Sequence, residues 1–249
     1  MKVFVYAWLL LWPGLLWAET IHVAVTSSFK KNLEQLAPLF TRQTGHQLLI
    51  SSGSSGKLYA QIQNGAPYHL FLAADETYPA LLLQADLALP ESRFVYAIGR
   101  LVLFAAHSKG LPEGVEAVTS GAIKRIALAN PNSAPYGRAA REVLTALDLW
   151  QGFARRVAVG ENVGHVLAFV HSGAVDAGFV AYAQLLDEQH NLSSGWLWEP
   201  PSDLYTPLRQ EGIVLRRGAG RADVGELITF LTSARIRTLL VQMGYGKPP

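Results

Sequence analysis

Ser51-Ser52-Gly53-Ser54-Ser55-Gly56-Lys57 follows the apolar run Leu48-Leu49-Ile50 and precedes Leu58-Tyr59-Ala60-Gln61-Ile62. That order predicts a strand, a Ser/Gly turn and the first turn of a helix. The leading amides of a helix have no carbonyl partner within it and sit at the positive end of its dipole. Beside serine hydroxyls, such a turn suits an oxyanion. Taken alone, the stretch reads equally well as a flexible loop that merely caps a helix.

The preceding segment repeats the grammar. Ile21-His22-Val23-Ala24-Val25 alternates as a strand does, and Thr26-Ser27-Ser28 reads as a polar turn. Phe29, Leu33, Leu36 and Phe40 then recur at helical spacing up to a stop at Gly45, with a kink or break expected at Pro38. In successive β-α units of a parallel sheet, both turns fall at the carboxyl ends of the strands.

Leu70 to Ala74 reads as a third strand, with Asp75 placed to cap the helix that carries Tyr78, Leu81 and Leu82. Phe94 to Ala106 is long for one strand, so the chain is expected to cross from one lobe to another near Gly99. A second α/β set follows: strands at 125–129, 157–159 and 177–180, helices from Arg138 and from Val163, and Asn162 as a cap. Trp196-Leu197-Trp198 begins the return, Gln210 to Leu215 reads as a strand, and two helices close the chain. The expected division is residues 19–98 with 207–249 as lobe 1 and residues 99–206 as an inserted lobe 2.

Bulk properties narrow the class. Residues 1–18 read as a secretory signal: Lys2, an apolar run from Val3 to Trp17, and Ala18 before the acidic Glu19. No later stretch is long and apolar enough to span a membrane. A formal net charge of +2 over 249 residues argues against nucleic acid. The absence of cysteine excludes disulfides, thiolate nucleophiles and a lipid-modified N-terminal cysteine. The expected location is the periplasm.

Across the mature chain the sequence resembles the periplasmic molybdate-binding proteins of ABC transporters. The resemblance is carried by Val23 to Phe29, Gly53 to Leu58, Gly65-Ala66-Pro67, Leu70 to Asp75 and Tyr96 to Leu103. It continues through Asn130-Pro131, Ala134 to Gly137, Gly160 to Val163, Phe179 to Tyr182 and Gly244-Tyr245-Gly246. It implies an α/β, two-lobed type II periplasmic binding-protein fold that holds one bare tetrahedral oxyanion, molybdate or tungstate, in the cleft between the lobes. It further implies no enzymatic activity, no cofactor, a membrane ABC permease as partner, and a monomer. By position, Ser28 with Ser27, and Ser55, would donate from lobe 1, and backbone N–H groups at Tyr136 and Val163 from lobe 2. The family often has a tyrosine where Ala181 stands, which makes the neighbouring Tyr182 a further candidate.

Molybdate carries no proton at neutral pH and can only accept hydrogen bonds, so its site needs many donors and no carboxylate. The turns supply Ser, Gly, Thr, Asn, Pro and Tyr; Glu161 is the exception and is expected to face outward or cap a helix. Sulfate presents the same acceptor pattern and is the alternative ligand. A nucleotide loop is disfavoured because Ser51 stands where its first glycine belongs and Leu58 follows Lys57. A serine hydrolase using Ser55 lacks one residue of the Gly-x-Ser-x-Gly elbow and has no paired histidine motif.

Overall fold

The computed structural model describes residues 19–107, 110–187, 189–192 and 194–247, so the expected signal segment, 1–18, lies outside the described residues. Strand β1 (Thr20–Thr26) leads to α1 (Ser27–Thr44), β2 (Gln47–Gly53), α2 (Ser55–Gln63), β3 (Leu70–Leu72), α3 (Thr77–Gln84) and β4 (Phe94–Gly99). Then come β5 (Leu101–Ala105), α4 (Glu116–Thr119), β6 (Ile126–Ala129), α5 (Pro135–Ala146), α6 (Trp150–Phe153), β7 (Val157–Gly160), α7 (Val163–His171), β8 (Ala177–Ala181) and β9 (Trp196–Trp198). Strand β10 (Leu208–Val214) and helices α8 (Ala222–Thr232) and α9 (Ala234–Gln242) complete the order.

The strands form two five-stranded sheets, β2-β1-β3-β10-β4 and β7-β6-β8-β5-β9. The chain leaves the first sheet after Gly99 and joins the second at Leu101, then returns between Trp198 and Leu208. Gly99 and Leu208 are themselves paired across β4 and β10, so both crossings lie side by side. In each sheet β-α units run parallel and one strand is antiparallel to its neighbours: β10, late in the chain, in the first sheet and β5, the earliest of its strands, in the second.

Period-two alternation decides which core each residue joins. Val23 and Val25 of β1 pack with Phe29, Leu33, Phe40 and Leu227 of α1 and α8, while Ala24 faces Leu58, Phe71 and Leu82 beside α2 and α3. The second sheet has one core, built on Leu103, Phe104, Leu128, Val143, Val166 and Phe179.

Three expectations change. Helix α1 runs on through Pro38 without a break, ending at Gly45 in the left-handed region with φ 82°. Ser51 to Gly53 are strand, paired with Ala24 to Thr26, so the expected Ser/Gly turn shrinks to Ser54. Asp75 caps nothing: α3 starts after Glu76, and the Asp75 carboxylate instead meets Arg138 of the second half.

Beside β1, the imidazole Nδ1 of His69 accepts the His22 N–H at 3.1 Å, and the His69 amide donates to the His22 carbonyl at 2.8 Å. Burial, then the Arg221 guanidinium, hold the His69 pKa below its ordinary value of 6.5. A histidine that protonates less readily when folded gives stability that is complete above the unfolded pKa. That stability is lost as the pH falls through the lower folded value. The thermal midpoint should therefore drop between about pH 7.5 and about pH 5, and the drop should shrink in His69→Asn. Identical drops in both proteins would clear His69 of the effect.

Candidate functional site

Strand β1 enters α1 with no loop between them. Thr26 is the N-cap but its side chain makes no capping bond, so the leading amides, at Ser27 and Ser28, are left uncovered. Ser28 is 1% exposed, and its hydroxyl lies 3.4 Å from Thr26 Oγ1. Behind it, the Tyr245 hydroxyl donates to the Ser28 carbonyl at 2.9 Å and lies 3.3 Å from Asn32 Oδ1, which fixes the first turn of α1.

In α2 the capping is more selective. Ser54 Oγ accepts the Lys57 amide at 3.4 Å, and the Gly56 amide donates to the Ser133 carbonyl at 2.8 Å. The Ser55 amide is what remains. The Ser55 hydroxyl is fully buried and accepts the Ala74 N–H at 3.0 Å. A hydroxyl whose oxygen is already engaged by an amide keeps its own proton to donate.

The second half presents two further helix starts. Pro135 opens α5 and has no N–H, so the first amide this helix can offer is that of Tyr136. The Tyr136 phenol is buried, accepts Gln210 Nε2 at 3.0 Å and lies beside the Ser28 side chain. Burial pushes its pKa well above the usual phenol value. On α7, Asn162 Oδ1 takes the amides of Gly164 at 2.9 Å and His165 at 3.3 Å, leaving that of Val163.

These four helix starts converge. Tyr136 of α5 reaches Ser28 of α1 and Gly56 of α2 reaches Ser133, just ahead of α5. Lys57 of α2 pairs with Glu161, just ahead of α7, at 2.7 Å. Asp75 and Arg138 join the halves at 2.7 Å, the carboxylate side chain only 5% exposed. Lys31 Nζ donates to the Leu186 carbonyl at 2.5 Å. Beside the convergence a cavity of about 420 Å³ opens outward between Ser27, Lys30, Lys31, Asn162 and His165.

The family model for bacterial extracellular solute-binding proteins matches residues 21–246. The chain belongs to that family. This solute-binding protein is 35% identical to the molybdate-binding protein ModA of Azotobacter vinelandii over 92% of its own length and 90% of the relative's. It is 33% identical to the protein of the same name from Rhodobacter capsulatus, over 92% and 88%. The solved structure of the Azotobacter vinelandii periplasmic molybdate-binding protein superposes with TM-score 0.87 and 38% identity, covering 92% of this chain and 100% of that one. The sulfate-binding protein SubI of Mycobacterium tuberculosis, TM-score 0.75 at 14% identity over 91% of this chain and 86% of that one, shares the fold.

Of the residues singled out in the sequence, Ser27, Ser28, Ser55, Tyr136 and Val163 of the solute-binding protein all stand at the four converging helix starts. Tyr182 sits on a short 3-10 turn, Tyr182–Gln184, packed against α1; its ring lies under the Arg100 guanidinium at 4.1 Å, at the crossing between the sheets, and abuts Gly244. Glu161 is exposed, and its pairing with Lys57 holds its carboxyl below the usual range. The supporting residues were missed. Tyr96, whose hydroxyl donates to the Ala73 carbonyl at 2.9 Å, Tyr245 and Gln210 are buried polar side chains in apolar segments. The available signal was chemical: a buried phenol or amide requires a partner, and the partners here are the backbone and side chains of the site.

Proposed function

We propose that this protein captures molybdate or tungstate in the periplasm as a bare tetrahedral dianion and presents it to a membrane ABC permease. The observation that carries the reading is the convergence of four helix starts that offer uncovered amides and two serine hydroxyls, with the charged side chains Lys57 and Arg138 of these first turns paired to Glu161 and Asp75. The donors are the Ser28 and Ser55 hydroxyls with the amides of Ser27, Ser28, Ser55, Tyr136 and Val163; Tyr182 packs at the crossing instead. Each helix start carries roughly half a positive charge, so four of them offset about two negative charges without any buried lysine or arginine. The relatives named as molybdate-binding proteins support the choice of ion.

The two lobes are residues 19–98 with 207–249, and residues 99–206, swinging about the paired crossings at Gly99 and Leu208. Closure brings the lobe 2 amides to an ion seated on Ser28 and Ser55, excludes water and fixes each donor. Ser55 works here as a donor rather than a nucleophile, because its oxygen is already occupied by the Ala74 amide. The protein acts as a monomer and needs no cofactor.

Calorimetric titration of the mature protein with molybdate, tungstate, sulfate and phosphate tests the reading. Molybdate and tungstate should bind and raise the thermal midpoint in proportion to the logarithm of ligand concentration. Sulfate binding with no response to molybdate would reassign the ion; no response to any oxyanion would overturn the function.

A further inference from the structure

We propose that Gly244 is a positioning residue that stops the closing of the two lobes at the depth the ion requires. The inference rests on the function and the lobes proposed above. Gly244 follows α9 with φ 94°, and a Cβ there would lie 3.0 Å from Tyr182 Cδ1, 3.0 Å from Leu186 Cδ1 and 3.1 Å from the Cα of Ala183. All three neighbours belong to lobe 2, on or just after the 3-10 turn Tyr182–Gln184. Ala183 is 3% exposed and packs into the core of lobe 1 with Phe29, Tyr96 and Tyr245. Each side of this contact is tied to the crossing between the sheets. The Gly246 N–H donates to the Ile98 carbonyl at 2.8 Å and the Tyr182 N–H to the Arg100 carbonyl at 3.0 Å, on either side of Gly99.

Neither side yields easily. The Ala183 Cα is backbone. The Tyr182 ring lies under the Arg100 guanidinium, which both carboxylate oxygens of Glu199 hold, at 2.8 and 2.6 Å. Leu186 is 6% exposed, and its carbonyl accepts from Lys31 Nζ. On the lobe 1 side, the Tyr245 hydroxyl anchors the turn to the Ser28 carbonyl at 2.9 Å. A methyl group at position 244 has to be taken up by the lobes themselves, because close-packed contacts do not compress. Beside a hinge, a small displacement grows with distance from the axis, so the lobe 2 amides move further than the contact does. A glycine at this point lets the lobes meet where the Tyr136 and Val163 amides reach an ion seated on Ser28 and Ser55.

The experiment compares Gly244→Ala with Gly45→Ala. Gly45 also ends a helix at positive φ, 82°, but a Cβ there meets nothing within 4 Å, so its variant carries the backbone strain without the wedge. Molybdate affinity is read by calorimetry, and closing by the fall in radius of gyration on adding molybdate, from small-angle X-ray scattering. Both variants should lower the unliganded thermal midpoint. Gly244→Ala alone should bind molybdate at least about tenfold more weakly and, when saturated, contract less than the wild type. Ala183→Val thickens the same contact from lobe 2 and should reproduce both effects. It carries the test if Gly244→Ala does not fold, judged by its unliganded midpoint. Wild-type affinity in Gly244→Ala or in Ala183→Val would overturn the stop, and so would a loss of affinity with full contraction, which would leave Gly244 as a helix end only. A wild type that binds molybdate while the variants contract as it does removes the stop alone; a wild type that binds no oxyanion removes the function and the stop together.

Discussion

Ser55→Ala should lower molybdate affinity between about 10- and 100-fold, because it deletes a hydrogen bond to a charged acceptor worth roughly 1.5–3 kcal/mol. The same change should destabilise the unliganded protein. Ser55 Oγ is the acceptor for the buried Ala74 amide, and an alanine leaves that N–H without a partner at a cost of about 1–3 kcal/mol. Two independent readouts follow: calorimetry for the ion, and urea unfolding without it. Lost stability with intact affinity would leave Ser55 as a brace for Ala74 and remove it from the cleft. Intact stability would mean that the Ala74 amide finds another acceptor.

Gly137→Ala should have the largest effect on the fold near the site. A Cβ there would lie 2.6 Å from the Ala129 carbonyl carbon, closer still to its oxygen, and 3.1 Å from the Asn130 carbonyl carbon. These are backbone atoms at the end of β6 and cannot swing away as a side chain would. The first turn of α5 must move instead, at a cost of about 3 kcal/mol, and it carries the Tyr136 amide with it. Molybdate affinity should fall by at least about tenfold, since a donor displaced by about 1 Å no longer meets its acceptor. Gly225→Ala is the matched control: it sits within α8 with nothing within 4 Å of the added Cβ, so stability should rise by about 0.5–1 kcal/mol with binding unchanged. If both substitutions behave alike, the close approach of α5 to β6 does not constrain the site.

The sequence made the strand-to-helix grammar legible because hydrophobic period and serine caps are local signals. Asn162 caps α7 as its position implied, and the Thr26 and Gly53 ends of β1 and β2 lie in register, so both serine-bearing helix starts share one sheet edge. The long apolar run from Phe94 to Ala106 did split at Gly99–Arg100 between two sheets. Long-range pairings were out of reach. Asp75 looked like a cap because Asp before a helical pattern usually is one; Arg138, 63 positions away, claimed the carboxylate instead. Gln210 and Tyr245 gave no local hint, since a polar residue in an apolar segment states only that it needs a partner, not which one. Pro38 misled in the opposite way: tertiary packing of Leu36 and Phe40 on either side holds α1 together through it.

The absence of ionisable side chains among the proposed donors has a further consequence for unloading. Amides and aliphatic hydroxyls do not titrate in any medium a bacterium inhabits. A change of acidity therefore leaves the hold on the ion untouched as long as the ion itself stays unprotonated. On the proposed reading, protonation of the donors themselves cannot trigger release. On that reading the cargo is freed by parting the proposed lobes, and ties such as Asp75–Arg138 and Gly56–Ser133 are the resistance that a partner transporter would work against.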